Sequence, residues 1–387
     1  MPLCEPLNTS APVGDSVGES DDMARLMKQV SIESPSHKLK ECIFNFDEPM
    51  PDVPELGARV KVRNAGVCYR LRSASSSASL KSLDALALGS PLHQSVRDTS
   101  LFPGYEVAGT VDAVGTGVGD TDIRVGDRVI VYPYEGHPPG YGEYIAVPEI
   151  KFLVKIPDSM SLSVAAMLPS GALWAMNTVF RAREAVQEVI KNKGEAGTCS
   201  VLLVGTGGLA LWALRIVRYF WPAKEDHIKI TVACLRDEGI SILSRELGVD
   251  IVQWSEDRNI CLWTSCSWLR RLEGWDHREQ SLQQERTEDH IVVMGGGVIL
   301  VSAEHAESFL ARYTKEAQSS DHQLLAVQLG SLDQLKELVH LVSTNAIEPP
   351  PHHIFPADCA NEAIAKIGKG QILGRAILEF PEEEDEE

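Results

Sequence analysis

The chain has 387 residues, 44% of them hydrophobic, and a formal net charge of −19 at pH 7. That length is enough for two domains with substantial cores, and the acidic balance argues against a nucleic-acid binder, which would carry a basic stripe. No uninterrupted apolar window of about 18 residues occurs, and no basic-then-apolar leader precedes the first domain; a membrane partner is therefore not expected, and a cytoplasmic location is. The eight cysteines (positions 4, 42, 68, 199, 234, 261, 266 and 359) are scattered without a Cys-x-x-Cys pair, so neither a disulfide framework nor a cysteine-rich zinc lobe is expected.

Residues 1–35 are rich in Ser, Pro, Gly and acids and read as a disordered N-terminal segment, with a short helix at Arg25–Val30 the one local alternative. Strand signals follow. Ala58-Arg-Val-Lys-Val-Arg63 alternates apolar and charged side chains, as a half-buried strand does. Phe102 to Gly115 reads as a strand with glycines at points of close approach. Val125 to Pro133 is a turn feeding a strand, and Tyr141 to Val147 is another. Short strands at this spacing predict a small β-barrel or sandwich. At Ser161-Leu-Ser-Val-Ala-Ala-Met167 the period becomes helical, and Leu173 to about residue 191 continues it.

Val201-Leu-Leu-Val-Gly-Thr-Gly-Gly-Leu-Ala210 is the most informative stretch. An apolar run of strand length meets a glycine turn, and a helical segment begins. Gly205, Gly207 and Ala210 fit G-x-G-x-x-[G/A]: a tight turn, close backbone approach to a pyrophosphate, and tight helix–strand packing. The helix N-terminus then presents N–H groups and a positive dipole end to phosphates. Ile228–Leu235 is a second strand, Ile240–Leu247 a helix ending at Gly248, and Leu324–Leu329 a late strand. Leu332–Val342 is amphipathic, with Leu335, Leu338 and Leu341 on one face. Ala376–Phe380 is a closing strand, and residues 381–387 form an acidic tail.

Together, Gly66-Val-Cys68, Pro103 to Gly115, Val125-Gly-Asp-Arg-Val129, Leu168-Pro-Ser-Gly171, the turn at 205–208 and Gly370-Gln-Ile-Leu-Gly-Arg-Ala376 resemble the medium-chain dehydrogenase/reductase superfamily, in its zinc alcohol dehydrogenase-like and quinone oxidoreductase-like branches. The resemblance implies an α/β protein: a GroES-like β-barrel domain (residues 36–165 and 340–380) and a Rossmann doubly wound parallel sheet (residues 166–339). It implies hydride transfer between a nicotinamide cofactor and a small-molecule substrate, with a homodimer among the assemblies expected. Matched residue by residue, Gly205, Gly207, Gly208 and Leu209 fall in the pyrophosphate loop. Arg375 matches an arginine that contacts the pyrophosphate, and Cys68 matches the first ligand of a catalytic zinc.

The departures from the pattern carry as much information. The family's Gly-His-Glu reads Gly104-Tyr105-Glu106, and the position supplying a third zinc ligand is Ser170. Cys68 and Glu106 alone fall short of three protein ligands, so zinc is not expected. Cys68 is then a small buried residue or an active-site thiol; Tyr105 packs or donates its hydroxyl to a substrate oxygen. Where the family has a hydroxyl relay and an acid, Tyr69-Arg70-Leu71 stands. Trp174 replaces a threonine near the nicotinamide, either stacking on a substrate or filling the nicotinamide pocket. The ribose-binding acid at the end of the second strand is absent; Leu235 with Arg236 beside it favours NADP over NAD, although a small shift in register would bring Asp237 there and favour NAD. The expectation is a zinc-independent reductase acting on a carbonyl or activated alkene, the alternative a catalytically inactive pseudoenzyme serving as a nucleotide sensor or interaction module. One segment does not fit: residues 252–290, with tryptophans at 254, 263, 268 and 275, stand where a Val/Ile-rich strand is expected, through either a large divergent loop or a reading-frame error.

Overall fold

The computed structural model describes residues 25–33, 42–67, 104–134, 136–193, 199–204, 207–222, 227–234, 249–253, 290–294, 298–302, 323–369 and 371–381. The chain begins with β1 (Leu26–Glu33), which pairs antiparallel with β2 (Cys42–Pro49). Leu26–Glu33 is thus a strand, not the disordered segment or short helix expected. Its other edge explains this: Val30 N–H donates to the Tyr141 carbonyl at 2.7 Å and Glu143 N–H to the Lys28 carbonyl at 3.0 Å. Partners so distant in sequence leave no mark on local composition.

The first large sheet contains β3 (Ala58–Gly66), β4 (Glu106–Val114), β5 (Arg128–Val131), β6 (Tyr144–Val147), β7 (Leu153–Lys155), β14 (His352–Pro356) and β15 (Arg375–Glu379). Its order is β14-β15-β3-β4-β5-β7, with β6 also on β3. One edge of β3 serves β6 through residues 58–61 and β15 through residues 64–66. The closing strand thereby returns to the middle of the sheet. Apolar side chains such as Val60, Val62, Val107, Val129, Ile145 and Leu378 form one core here.

The second sheet runs β10 (Asp250–Gln253), β9 (Ile228–Cys234), β8 (Cys199–Val204), β11 (His290–Met294), β12 (Val298–Ser302), β13 (Gln323–Val327). Strands β8, β9 and β10 are parallel, as are β12 and β13, but β11 is antiparallel to both its neighbours. The sheet is therefore mixed, which corrects the expectation of a wholly parallel one. Only Gly295, Gly296 and Gly297 separate β11 from β12, and a parallel crossover needs a dozen or more residues.

Helices complete the layers: α1 (Leu162–Ala166), α2 (Leu173–Lys193), α3 (Gly208–Phe220), α4 (Leu332–Ser343) and α5 (Ala360–Gly368). The Ser161 hydroxyl accepts from the Val164 N–H at 3.3 Å and starts α1, as the sequence predicts. Ser331 and Gln334 form a reciprocal capping box at the start of α4. The predicted apolar face of α4, Leu335, Leu338 and Leu341, is buried in the second core, where α4 packs on α2. Among the described residues no helix is long and apolar enough to cross a membrane. Leu338 is fully buried, so Leu338→Ala should cost about 2–5 kcal/mol in urea unfolding with an unchanged m-value. A loss below about 0.5 kcal/mol, usual for a surface site, would contradict this packing.

Candidate active site

The apolar strand β8 delivers the chain to the glycine turn, and α3 starts at Gly208 with the extended Gly207 as its N-cap. No side chain caps this terminus, and the first turn contains no acid. Gly207 is exposed, Gly208 and Leu209 are half-buried, and Gly205 lies outside the described residues. The helix stays in place through its other face, where Leu211, Trp212, Leu214, Ile216 and Val217 are buried. Its N-terminus is thus an uncapped dipole end, suited to an anion.

Opposite this turn, the barrel sheet assembles a charged pair. Its register sets Gly66 of β3 beside Glu106 on one side and Ile377 on the other, which brings the start of β4 close to Arg375. Glu106 is fully buried. Its Oε1 accepts from the Ser170 hydroxyl at 2.8 Å, from the Gly171 N–H at 3.0 Å, and from the Arg375 guanidinium. Ser170 and Gly171 belong to a π-helical turn, Leu168–Ala172, that precedes α2. Oε2 points at Gly66 and has no hydrogen-bond partner among the described residues.

Arg375 runs across two glycines. A Cβ on Gly171 would lie 2.5 Å from its Nη2, and one on Gly208 would lie 2.8 Å from its Cδ. A side chain at either position would displace Arg375 from its place beside Glu106. One side chain therefore touches the barrel carboxylate, the π-helical turn and the start of α3.

An aromatic group lies beside Glu106. Tyr105 is buried, with its ring edge-on to His137 at 5.6 Å between centroids. His137 is fully buried, and its Nδ1 donates to the Pro138 carbonyl at 2.6 Å. Tyr134 lies 5.0 Å from His137 and stacks on Phe152. Burial pushes the Tyr134 and Tyr132 phenols upward, so both stay neutral. The Tyr141 hydroxyl donates to the Gly66 carbonyl at 3.4 Å, Tyr69 lies outside the described residues, and Tyr105 directly precedes Glu106.

Trp174 is buried in the first turn of α2, and its indole N–H donates to the Val327 carbonyl at 3.1 Å. Cys68, Arg236 and the segment 254–289 lie outside the described residues. The structure thus brings Gly207, Gly208, Leu209, Tyr105 and Arg375 into its described part. It adds Glu106 as the partner of Arg375, and His137, which sequence reasoning missed. The signal for the Glu106–Arg375 pair was present in the matched segments, but its pairing required the sheet register. His137 had no such signal. Among the described residues no three His, Cys, Asp or Glu side chains cluster to hold a metal ion.

Residues 55–158 match the Alcohol dehydrogenase GroES-like domain. The chain is 23% identical over 384 residues to an NAD-dependent alcohol dehydrogenase of Sulfolobus acidocaldarius, covering 87% of this chain and 98% of that one. Its fold is similar to that of the quinone oxidoreductase from Coxiella burnetii (17% identity, TM-score 0.59, 92% and 99% of the two chains). It is also similar to a cobalt- and zinc-bound thermostable alcohol dehydrogenase from Pyrobaculum aerophilum (18% identity, TM-score 0.58, 92% and 100%).

Removing Arg375 alone strands a buried carboxylate. Arg375→Ala should lower stability by about 3–5 kcal/mol, and adding Glu106→Gln should restore part of the loss. Urea denaturation of the two single variants and the double variant measures the coupling; additivity within about 0.5 kcal/mol would mean the pair does not interact.

Proposed function

We propose that this chain, whose residues 55–158 match the alcohol dehydrogenase GroES-like domain and which is similar over 87% of its length to an NAD-dependent alcohol dehydrogenase, is a medium-chain oxidoreductase that transfers a hydride between NADP(H) and a carbonyl or activated-alkene substrate without a zinc ion. The observation that carries the cofactor part is Arg375, held by Glu106 against Gly208 at an uncapped helix N-terminus. A cation and backbone N–H groups converging there suit a pyrophosphate. Gly207, Gly208, Leu209 and Arg375 would hold it, with Gly205 completing the turn. Arg236 would pair with a 2′-phosphate, which is the basis for NADP over NAD. The bound nicotinamide supplies or accepts the hydride.

The chain's own residues would orient the acceptor and polarise it. Tyr105 is proposed to donate its hydroxyl to the substrate oxygen as negative charge develops there, with its ring braced by His137. Cys68 is proposed as an active-site thiol. The zinc-free reading rests on donor chemistry. The Ser170 hydroxyl is committed to Glu106, and a phenol replaces an imidazole at Tyr105. A cytoplasmic homodimer completes the proposal.

The test is titration with NADPH and NADH by nucleotide fluorescence, then turnover with enones, quinones and aldehydes. NADPH should bind in the micromolar range and Arg375→Ala should weaken it about tenfold or more, the loss of one charge-assisted contact. No binding of either nucleotide would sink the proposal, and stoichiometric zinc in the purified protein would sink its metal-free part.

A further inference from the structure

Trp174 is 5% exposed, yet it joins neither hydrophobic core. Its indole N–H is spent on Val327, the last residue of β13. The acceptors that follow are also taken by the chain's own side chains. The Gln328 carbonyl receives Asn177 Nδ2 at 2.9 Å, and the Gly330 carbonyl receives the Tyr132 hydroxyl at 3.0 Å. The carboxyl end of β13 is therefore closed by three side chains, and Trp174 is the bulkiest of them.

This closure falls where a dinucleotide would lie. In an open α/β sheet the ligand sits outside the carboxyl ends of the strands, with one mononucleotide half on each side of the glycine turn. Here the turn follows the central strand β8, with β9 and β10 on one side and β11, β12 and β13 on the other. The barrel residue Glu106 is held by Ser170 and Gly171 of the π-helical turn that leads into Trp174. Gly171, which faces Arg375, precedes Trp174 by three residues, or about one helical turn of ~5 Å. The indole is thus next in line from the phosphate cradle, toward the β13 end.

We infer that Trp174 is a gate on the nicotinamide half of the cleft. The ring enters only when the indole leaves the Val327 carbonyl, so ring binding is offset by breaking that contact, and affinity comes from the phosphate half. The inference rests on the dinucleotide reading above and goes beyond it by assigning one residue control over ring entry.

The test compares NADPH with 2′-phospho-ADP-ribose, the same molecule without the ring, on the full-length protein and on Trp174→Thr and Trp174→Phe. Native protein should bind the two within about twofold of each other, because the ring gains little net. Trp174→Thr should bind NADPH about tenfold tighter with 2′-phospho-ADP-ribose unchanged, as expected if the open form is about 10% populated. Trp174→Phe, which keeps most of the buried volume and lacks the N–H, should show a smaller gain of the same kind and covers the case where the threonine variant fails to fold. NADPH binding the native protein at least tenfold tighter than the ringless compound, with neither substitution changing that ratio, would overturn the gate. Failure of both compounds to bind any of the three proteins would overturn the dinucleotide reading itself, and the gate with it.

Discussion

A carboxylate and a guanidinium far apart in the chain meet out of water between the two sheets. Glu106 is fully buried, and the side chain of Arg375 is 11% exposed. Desolvating either alone costs several kcal/mol, so the geometry holds only while both are in place. Because Oε1 also takes the Ser170 hydroxyl and the Gly171 N–H, the pair fixes three segments together: the start of β4, the π-helical turn and the start of β15. Gly171 and Gly208 admit the arginine side chain, and through Gly208 the arrangement reaches the N-terminus of α3. The placement of the uncapped α3 N-terminus against the barrel is tied to this contact.

The same contact underlies the proposed zinc-free chemistry. Ser170 has its proton engaged by a carboxylate, and Tyr105 presents a phenol braced against a buried imidazole. Neither is the thiolate or imidazole that a zinc site draws on. In the proposed zinc-free reading, polarisation by hydrogen bonds and positioning of two reactants would carry hydride transfer to an already electrophilic acceptor. At the far end Trp174, Asn177 and Tyr132 tie the β13 terminus to α2 and the barrel. On the proposed dinucleotide reading, these contacts close the ring end of the cleft and leave the phosphate end open.

Much of this architecture was legible in the order of residues. The glycine turn after an apolar strand, the Ser161 cap and the leucine face of α4 are signals whose physics is local: backbone freedom, an N-cap acceptor, a helical period. Each of them specifies its neighbours within a few residues, and α1 and α4 form where those signals place them.

Other features were decided only by tertiary structure. Leu26–Glu33 is a strand because residues 141–143 supply its second edge, and nothing in its own composition reports that. The partner of Arg375 could not be read from its surroundings in sequence, because the register of β3 between β4 and β15 sets the distance. The sequence by itself determined the two sheets, their order along the chain and the anion-ready turn, since these follow from periodicity and backbone geometry. Which charge neutralises Arg375, and which carbonyl takes the Trp174 indole, were settled by folding, because burial makes every polar group find a partner wherever the packed chain brings one within reach.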